Sequence, residues 1–156
     1  MNYKKYHSGW QYPLDYLEFL YTFIQKNAPK KIVEIGTRYG DTSIVMASAL
    51  EDSKSIIKTY DQTPSEYIDK NIKLNNFEDI IFFKQQNFNN WLDNPEDFDI
   101  LYVDVDNTYE KIYRLKENKF IKKQNKLVIF EAARFNKEDT NIIFESKTNP
   151  YKLGKL

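Results

Sequence analysis

From Lys31 onward, short apolar runs alternate with amphipathic stretches, and four of the five apolar runs end on a glycine or an acid. Lys31-Ile-Val-Glu-Ile35 leads into Gly36, Ser55 to Tyr60 into Asp61, Phe98 to Val103 into Asp104, and Lys126 to Phe130 into Glu131; the third run is Ile80 to Phe83. Runs of this length, bounded by turn residues, read as buried strands. Strands that alternate with helices specify an α/β fold: a doubly wound, Rossmann-like, mostly parallel sheet with helices on both faces. In such sheets ligands bind beyond the carboxyl ends of the strands. The four chain positions just named all belong there.

The intervening stretches read as helices. Pro13 opens the first, with Leu14, Leu17, Tyr21 and Ile24 at helical spacing, and Asn27 and Pro29 end it. Asp41 or Thr42 is the expected cap of the second, which runs to about Leu50. Thr63 to Glu66 opens the third, which runs to about Asn75. Thr108 to Ile121 reads as one amphipathic helix, and Asn136 to Ser146 as a last short one. At 156 residues the chain is read as one domain over 1–156, with 1–12 as an N-terminal arm or lid. Only 25 residues follow Glu131, so the fold is read as C-terminally short.

Composition narrows the function. Lys plus Arg and Asp plus Glu each number 23, so no basic excess supports a nucleic-acid partner. No apolar run approaches the roughly 20 residues of a membrane helix, and no signal-peptide pattern opens the chain. A cytoplasmic protein with no membrane partner is expected. Cysteine is absent, which removes disulfides, thiolate metal sites and a cysteine nucleophile.

Three places carry chemistry. Glu34-Ile-Gly36-Thr37-Arg38-Tyr39-Gly40-Asp41-Thr42-Ser43 is a strand, a two-glycine turn and a helix start. Glycines let the backbone bend tightly and approach a ligand, and a helix start offers N–H groups. Neither the dinucleotide fingerprint nor the P-loop pattern is met. Asp61 lies about 20 residues beyond the turn, where doubly wound folds place an acid for ribose hydroxyls. Asp104, with Asp106 and Asn107 after it, ends the fourth strand, and Glu131 ends the fifth. Neighbouring strands would bring Asp104 and Glu131 together as hard oxygen ligands for Mg²⁺ or a similar cation. Asp106 is read as a helix cap. His7, the single histidine, is read as exposed.

Taken together these residues resemble a class I S-adenosylmethionine-dependent methyltransferase, nearest to the cephalosporin-hydroxylase-like and sugar O-methyltransferase group. The likeness rests on Glu34-Ile-Gly36-Thr37-x-x-Gly40-x-x-Ser43, on Pro13-Leu14-Asp15 and on Asp104-Val-Asp106-Asn107-Thr108-Tyr109, and spans roughly Gln11 to Ala133. It implies that Glu34, Gly36, Thr37 and Gly40 surround the methionine part of S-adenosylmethionine. It also implies that Asp61 holds the ribose and that Gln86 or Asn87 lies near the adenine. Asp104 and Asn107 take the catalytic positions, and Asp104 and Glu131 the metal positions, with Mg²⁺ as the expected ion. The acceptor would be a small-molecule hydroxyl. Two departures stand out: Asn107 replaces the group's histidine, and Ala132 its second acid. Two readings follow, a metal-assisted O-methyltransferase and a catalytically degenerate binding or interaction module. The short tail leaves the sheet edge to a partner subunit, a homodimer among the readings.

Overall fold

A computed structural model describes residues 14–50, 54–63, 65–105, 109–124 and 127–130. Five strands form one sheet in the order β3-β2-β1-β4-β5: β1 Lys31–Ile35, β2 Ile56–Asp61, β3 Ile81–Gln85, β4 Ile100–Val103 and β5 Leu127–Phe130. Every pairing is parallel. The order reverses between β1 and β4, and that switch point opens a crevice at the carboxyl ends.

The strands alternate, and the sheet therefore has two cores. Ile32, Ile57, Ile100, Tyr102 and Ile129 face one side, where α1 Leu14–Asn27, α2 Asp41–Ser48 and α3 Glu66–Leu74 pack. Val33, Ile35, Tyr60, Leu101 and Val103 face the other, under α4 Phe88–Asp93, α5 Tyr109–Glu117 and α6 Lys119–Gln124. Helix α1 buries Leu17, Leu20 and Ile24, one stripe of its surface, and carries Asp15 in its first turn and Lys26 in its last. Both charges suit the helix dipole. Each fully buried aliphatic side chain contributes roughly 1.5–3 kcal/mol relative to exposure.

Three elements differ from expectation. Helix α4 was not foreseen; Asn87 is its N-cap, with its side chain accepting from the Asn90 N–H at 2.8 Å, and Phe88, Trp91 and Leu92 are its buried residues. The span Thr108 to Ile121 is not one helix. Asn118 divides it: its backbone N–H closes α5 on Arg114 O at 3.0 Å, and its Oδ1 accepts from the N–H groups of Phe120 and Ile121 to start α6. An asparagine that bonds its own neighbourhood competes with the helix ladder, which periodicity alone does not register. The N-cap of α2 is Gly40, not Asp41 or Thr42. The helix expected over 136–146 lies outside the described residues, as do the arm at 1–12 and the tail after β5.

On the second face, Glu96 ties β1 to β2. Its Oε2 lies 2.6 Å from Lys31 Nζ and 2.7 Å from Lys58 Nζ, and Tyr60 donates its hydroxyl to Oε1. Burial opposes the charge of Glu96, but the two ammonium groups and the phenol outweigh it and hold its carboxyl below the usual value. Among the described residues no helix is long and apolar enough to cross a membrane.

Gly36 is the tightest point of the fold. Its φ is 101°, and a Cβ placed there would stand 1.7 Å from the Asp104 carbonyl oxygen. The end of β4 is drawn in because Asp104 N–H donates to Ile35 O at 2.8 Å. Gly36→Ala therefore meets both a strained φ, costing roughly 1–3 kcal/mol, and a backbone collision. We expect it to lower the melting temperature by at least about 4 °C, since 1 kcal/mol shifts a chain of this size by roughly 2–4 °C. A melting temperature equal to the parent's would show that β1 and β4 separate freely at this point.

Candidate functional site

The first strand ends in a turn with three residues at positive φ: Gly36, Arg38 at 50° and Gly40 at 84°. Gly40 N–H closes the turn on Thr37 O at 2.8 Å. At Gly40 an added Cβ would meet Ile68 Cγ1 at 3.4 Å, an ordinary contact, so the left-handed backbone, not space, is what calls for glycine. Because Gly40 is also the N-cap of α2, no side chain closes that helix start. Asp41, buried in the first turn, suits the positive end of the helix dipole.

Glu34 lies directly beneath this turn, fully buried. It does not project into the crevice. Thr42 donates its hydroxyl to Oε1, and Ser43 and Thr59 donate theirs to Oε2, the last at 2.6 Å. Thr59 also exchanges a 2.5 Å bond with the Thr37 hydroxyl. Register explains the meeting: Glu34 pairs with Thr59 on one side and Tyr102 on the other, so all three share one face. Tyr102 in turn bonds Tyr16 of α1, oxygen to oxygen at 2.5 Å. A polar row thus crosses β2, β1 and β4 inside an otherwise apolar layer. Burial raises the Glu34 carboxyl to about 7; the three hydroxyls offset only part of the rise, and the Asp104 charge adds to it.

Asp61 ends β2 beside the turn. Its Oδ2 accepts from Arg38 N–H at 2.8 Å and its Oδ1 from Thr63 N–H at 2.9 Å. It braces the turn as well as facing the crevice, and each oxygen keeps further acceptor capacity for a diol. Asp104 is half-buried at the end of β4, one residue past the rung Val103–Ile35. Glu34, Gly36, Thr37, Gly40, Asp61 and Asp104 are thus gathered at the carboxyl ends of three adjacent strands. Asn87 is exposed past β3. Asn107 and Glu131 lie outside the described residues; the last described rung before Glu131 pairs Val103 with Phe130. Among the described residues, no group of three histidines or acids could hold a metal. Asp104 alone is one oxygen donor, which does not make a cation site.

Sequence reasoning missed Thr59 and the roles of Thr42 and Ser43. The signal was available. An acid in the middle of an apolar strand needs partners on its own face, and Ile57 and Thr59 alternate with Glu34's period on the next strand.

The buried Glu34 carboxyl sets a pH dependence. Its folded value, about 7, lies above the ordinary 4.5, so the native state holds this proton more tightly. The group's contribution is favourable below the lower value and is lost as pH rises through the higher, by about 3 kcal/mol. Melting temperature should fall between about pH 5 and 7 in the parent, and Glu34→Gln should flatten that slope. An unaltered slope in the variant would assign the titration to another group.

The model of the methyltransferase-domain family matches residues 33–122. No curated protein sequence matches the chain. Solved structures do. A Podospora anserina methyltransferase, PaMTH1, with S-adenosylhomocysteine bound, superposes with a TM-score of 0.66 at 16% identity, over 78% of this chain and 53% of that one. A Bacillus cereus O-methyltransferase in complex with S-adenosylhomocysteine gives 0.55 at 23%, over 64% and 48%. The Streptomyces achromogenes O-methyltransferase TomG with S-adenosylmethionine gives 0.55 at 22%, over 61% and 45%. The chain spans about half the length of these structures. At such identities the likeness is one of fold. The family model covers more than half of the chain, from inside β1 to α6, and the chain belongs to the methyltransferase-domain family.

Proposed function

We propose that the chain binds S-adenosylmethionine at the carboxyl ends of β1, β2 and β4 and transfers its methyl group to a small-molecule hydroxyl. The observation that carries this reading is the juxtaposition of an uncapped helix start at Gly40 with the Asp61 carboxylate, across a turn held at positive φ. The donor set fits the cofactor. The N–H groups of the first turn of α2 would receive its carboxylate, and Asp61 its ribose diol. Asn87 would lie toward the adenine. Cofactor-bound structures of similar fold support the assignment.

When bound, the sulfonium supplies an activated methyl group. The residues of this chain then have two tasks: to align an acceptor oxygen with that methyl and to take its proton. Asp104, half-buried at the end of β4, would orient the acceptor, and Asn107 would add a hydrogen bond. Among the described residues the carboxylates do not make a metal site. Mg²⁺ held by Asp104 and Glu131 remains a reading for titration. A second reading, cofactor binding without transfer, is carried by Asn107 and Ala132, where the sequence lacks a base and an acid.

Calorimetric titration with S-adenosylhomocysteine, with and without Mg²⁺, tests the proposal. Binding is expected; a folded protein that takes up none would overturn it. Asp61→Ala should weaken the affinity roughly tenfold or more, the value of a charge-assisted pair of hydrogen bonds. The same substitution should matter far less for a dideoxyribose analogue of the ligand. Equal losses for both ligands would reduce Asp61 to a brace for Arg38. Turnover with small hydroxyl acceptors separates the transferase from the binding module.

A further inference from the structure

We propose that Thr59 is a positioning residue for the Gly36–Gly40 turn: its hydroxyl, caught between Glu34 and Thr37, sets the turn's conformation and thereby the cofactor affinity. The inference rests on the reading that this turn binds the cofactor. Thr59 is fully buried on β2 and has no route to a ligand.

Proton counting gives the relay its direction. An ionised Glu34 only accepts, so Thr42, Ser43 and Thr59 all donate to it. Thr59 has one proton and has spent it. Its 2.5 Å bond to Thr37 must therefore receive the Thr37 proton. Thr37 is itself buried, and its carbonyl accepts the Gly40 N–H that closes the turn. One chain of bonds thus runs from a core carboxylate, through the neighbouring strand, into the residue that anchors the turn. A second arm runs from Glu34 directly to Thr42 and Ser43 in the first turn of α2. The two arms grip the turn from both sides. Of the two, the Thr59 arm is the one that reaches Thr37, near the leading end, where backbone bonds from Gly36 N–H to Tyr60 O and from Arg38 N–H to Asp61 also act. Without the Thr59 hydroxyl, Thr37 loses its acceptor in a place that water does not reach, and its rotamer and the turn's backbone are released.

The experiment compares Thr59→Val, which keeps shape and removes the hydroxyl, with Thr59→Ser, which keeps the hydroxyl. It is run at pH 8.5, where Glu34 is ionised. Two quantities are read: affinity for S-adenosylhomocysteine, and hydrogen exchange of the Gly40 amide without ligand. Thr59→Val should weaken binding roughly tenfold and speed Gly40 exchange, while Thr59→Ser stays within about twofold of the parent in both. In a Thr37→Val background the Thr59→Val change should cost clearly less than in the parent, because only the Thr59–Glu34 bond is then left to lose. Unchanged exchange and affinity in a folded Thr59→Val protein would overturn the proposal, as would equal losses in Val and Ser variants or additive losses in the double variant. Should Thr59→Val fail to fold, Thr37→Val reads the same relay from its other end. A parent that binds no S-adenosylhomocysteine, but whose Gly40 exchange speeds up in Thr59→Val only, would uphold control of the turn and overturn the cofactor reading. Absence of both effects would overturn both.

Discussion

A carboxylate buried in a sheet must be solvated by the protein itself, and Glu34 imposes that requirement on everything around it. An isolated ionised acid at this depth would cost many kcal/mol. Here the hydroxyls of Thr42, Ser43 and Thr59 stand in for water. Two of them belong to the first turn of α2, so satisfying the charge also fixes where that helix begins. The third belongs to β2, so it also fixes how the neighbouring strand faces. The turn between them has little freedom left, and its positive-φ residues are held in place from below.

The crevice is therefore built from beneath. Asp61 completes it from the β2 side by accepting the Arg38 N–H, and β4 completes it from the other by pressing the Asp104 carbonyl against Gly36. The same contacts that hold the turn define the surface a cofactor would meet. The far face plays a different part. There Glu96 joins Lys31, Lys58 and Tyr60, so that corner of the sheet is held by charge as well as by apolar packing.

Much of this was legible in the sequence because it depends on period and punctuation. The five strands, their parallel arrangement and the helices on both faces follow from apolar runs separated by amphipathic stretches. The strand-end positions of Gly36, Asp61 and Asp104 follow in the same way. What was not legible depends on partners distant in sequence or on local competition. Helix α4 is short and rich in asparagine, so its three apolar contacts fell below any periodic signal. The division at Asn118 comes from one side chain bonding its own backbone. The inward aim of Glu34 was hidden because a motif names residues without saying which way they point. Only the register with Thr59 and Tyr102 reveals it. Resemblance supplied the role of Asn107, and the adjacency of strands four and five that of Glu131; both residues lie outside the described ones.

The close approach at Gly36 has an evolutionary side. A glycine that carries a ligand-binding motif is usually taken as a mark of activity. Here the residue is required by the carbonyl of Asp104, 1.7 Å from where a Cβ would stand, whether or not anything binds above it. A chain with this sheet and no ligand above it would still need glycine at this position. Its crevice would decay first at surface side chains such as Asn87, whose capping bond other residues can supply. The glycine dates the architecture, not any chemistry carried out above it.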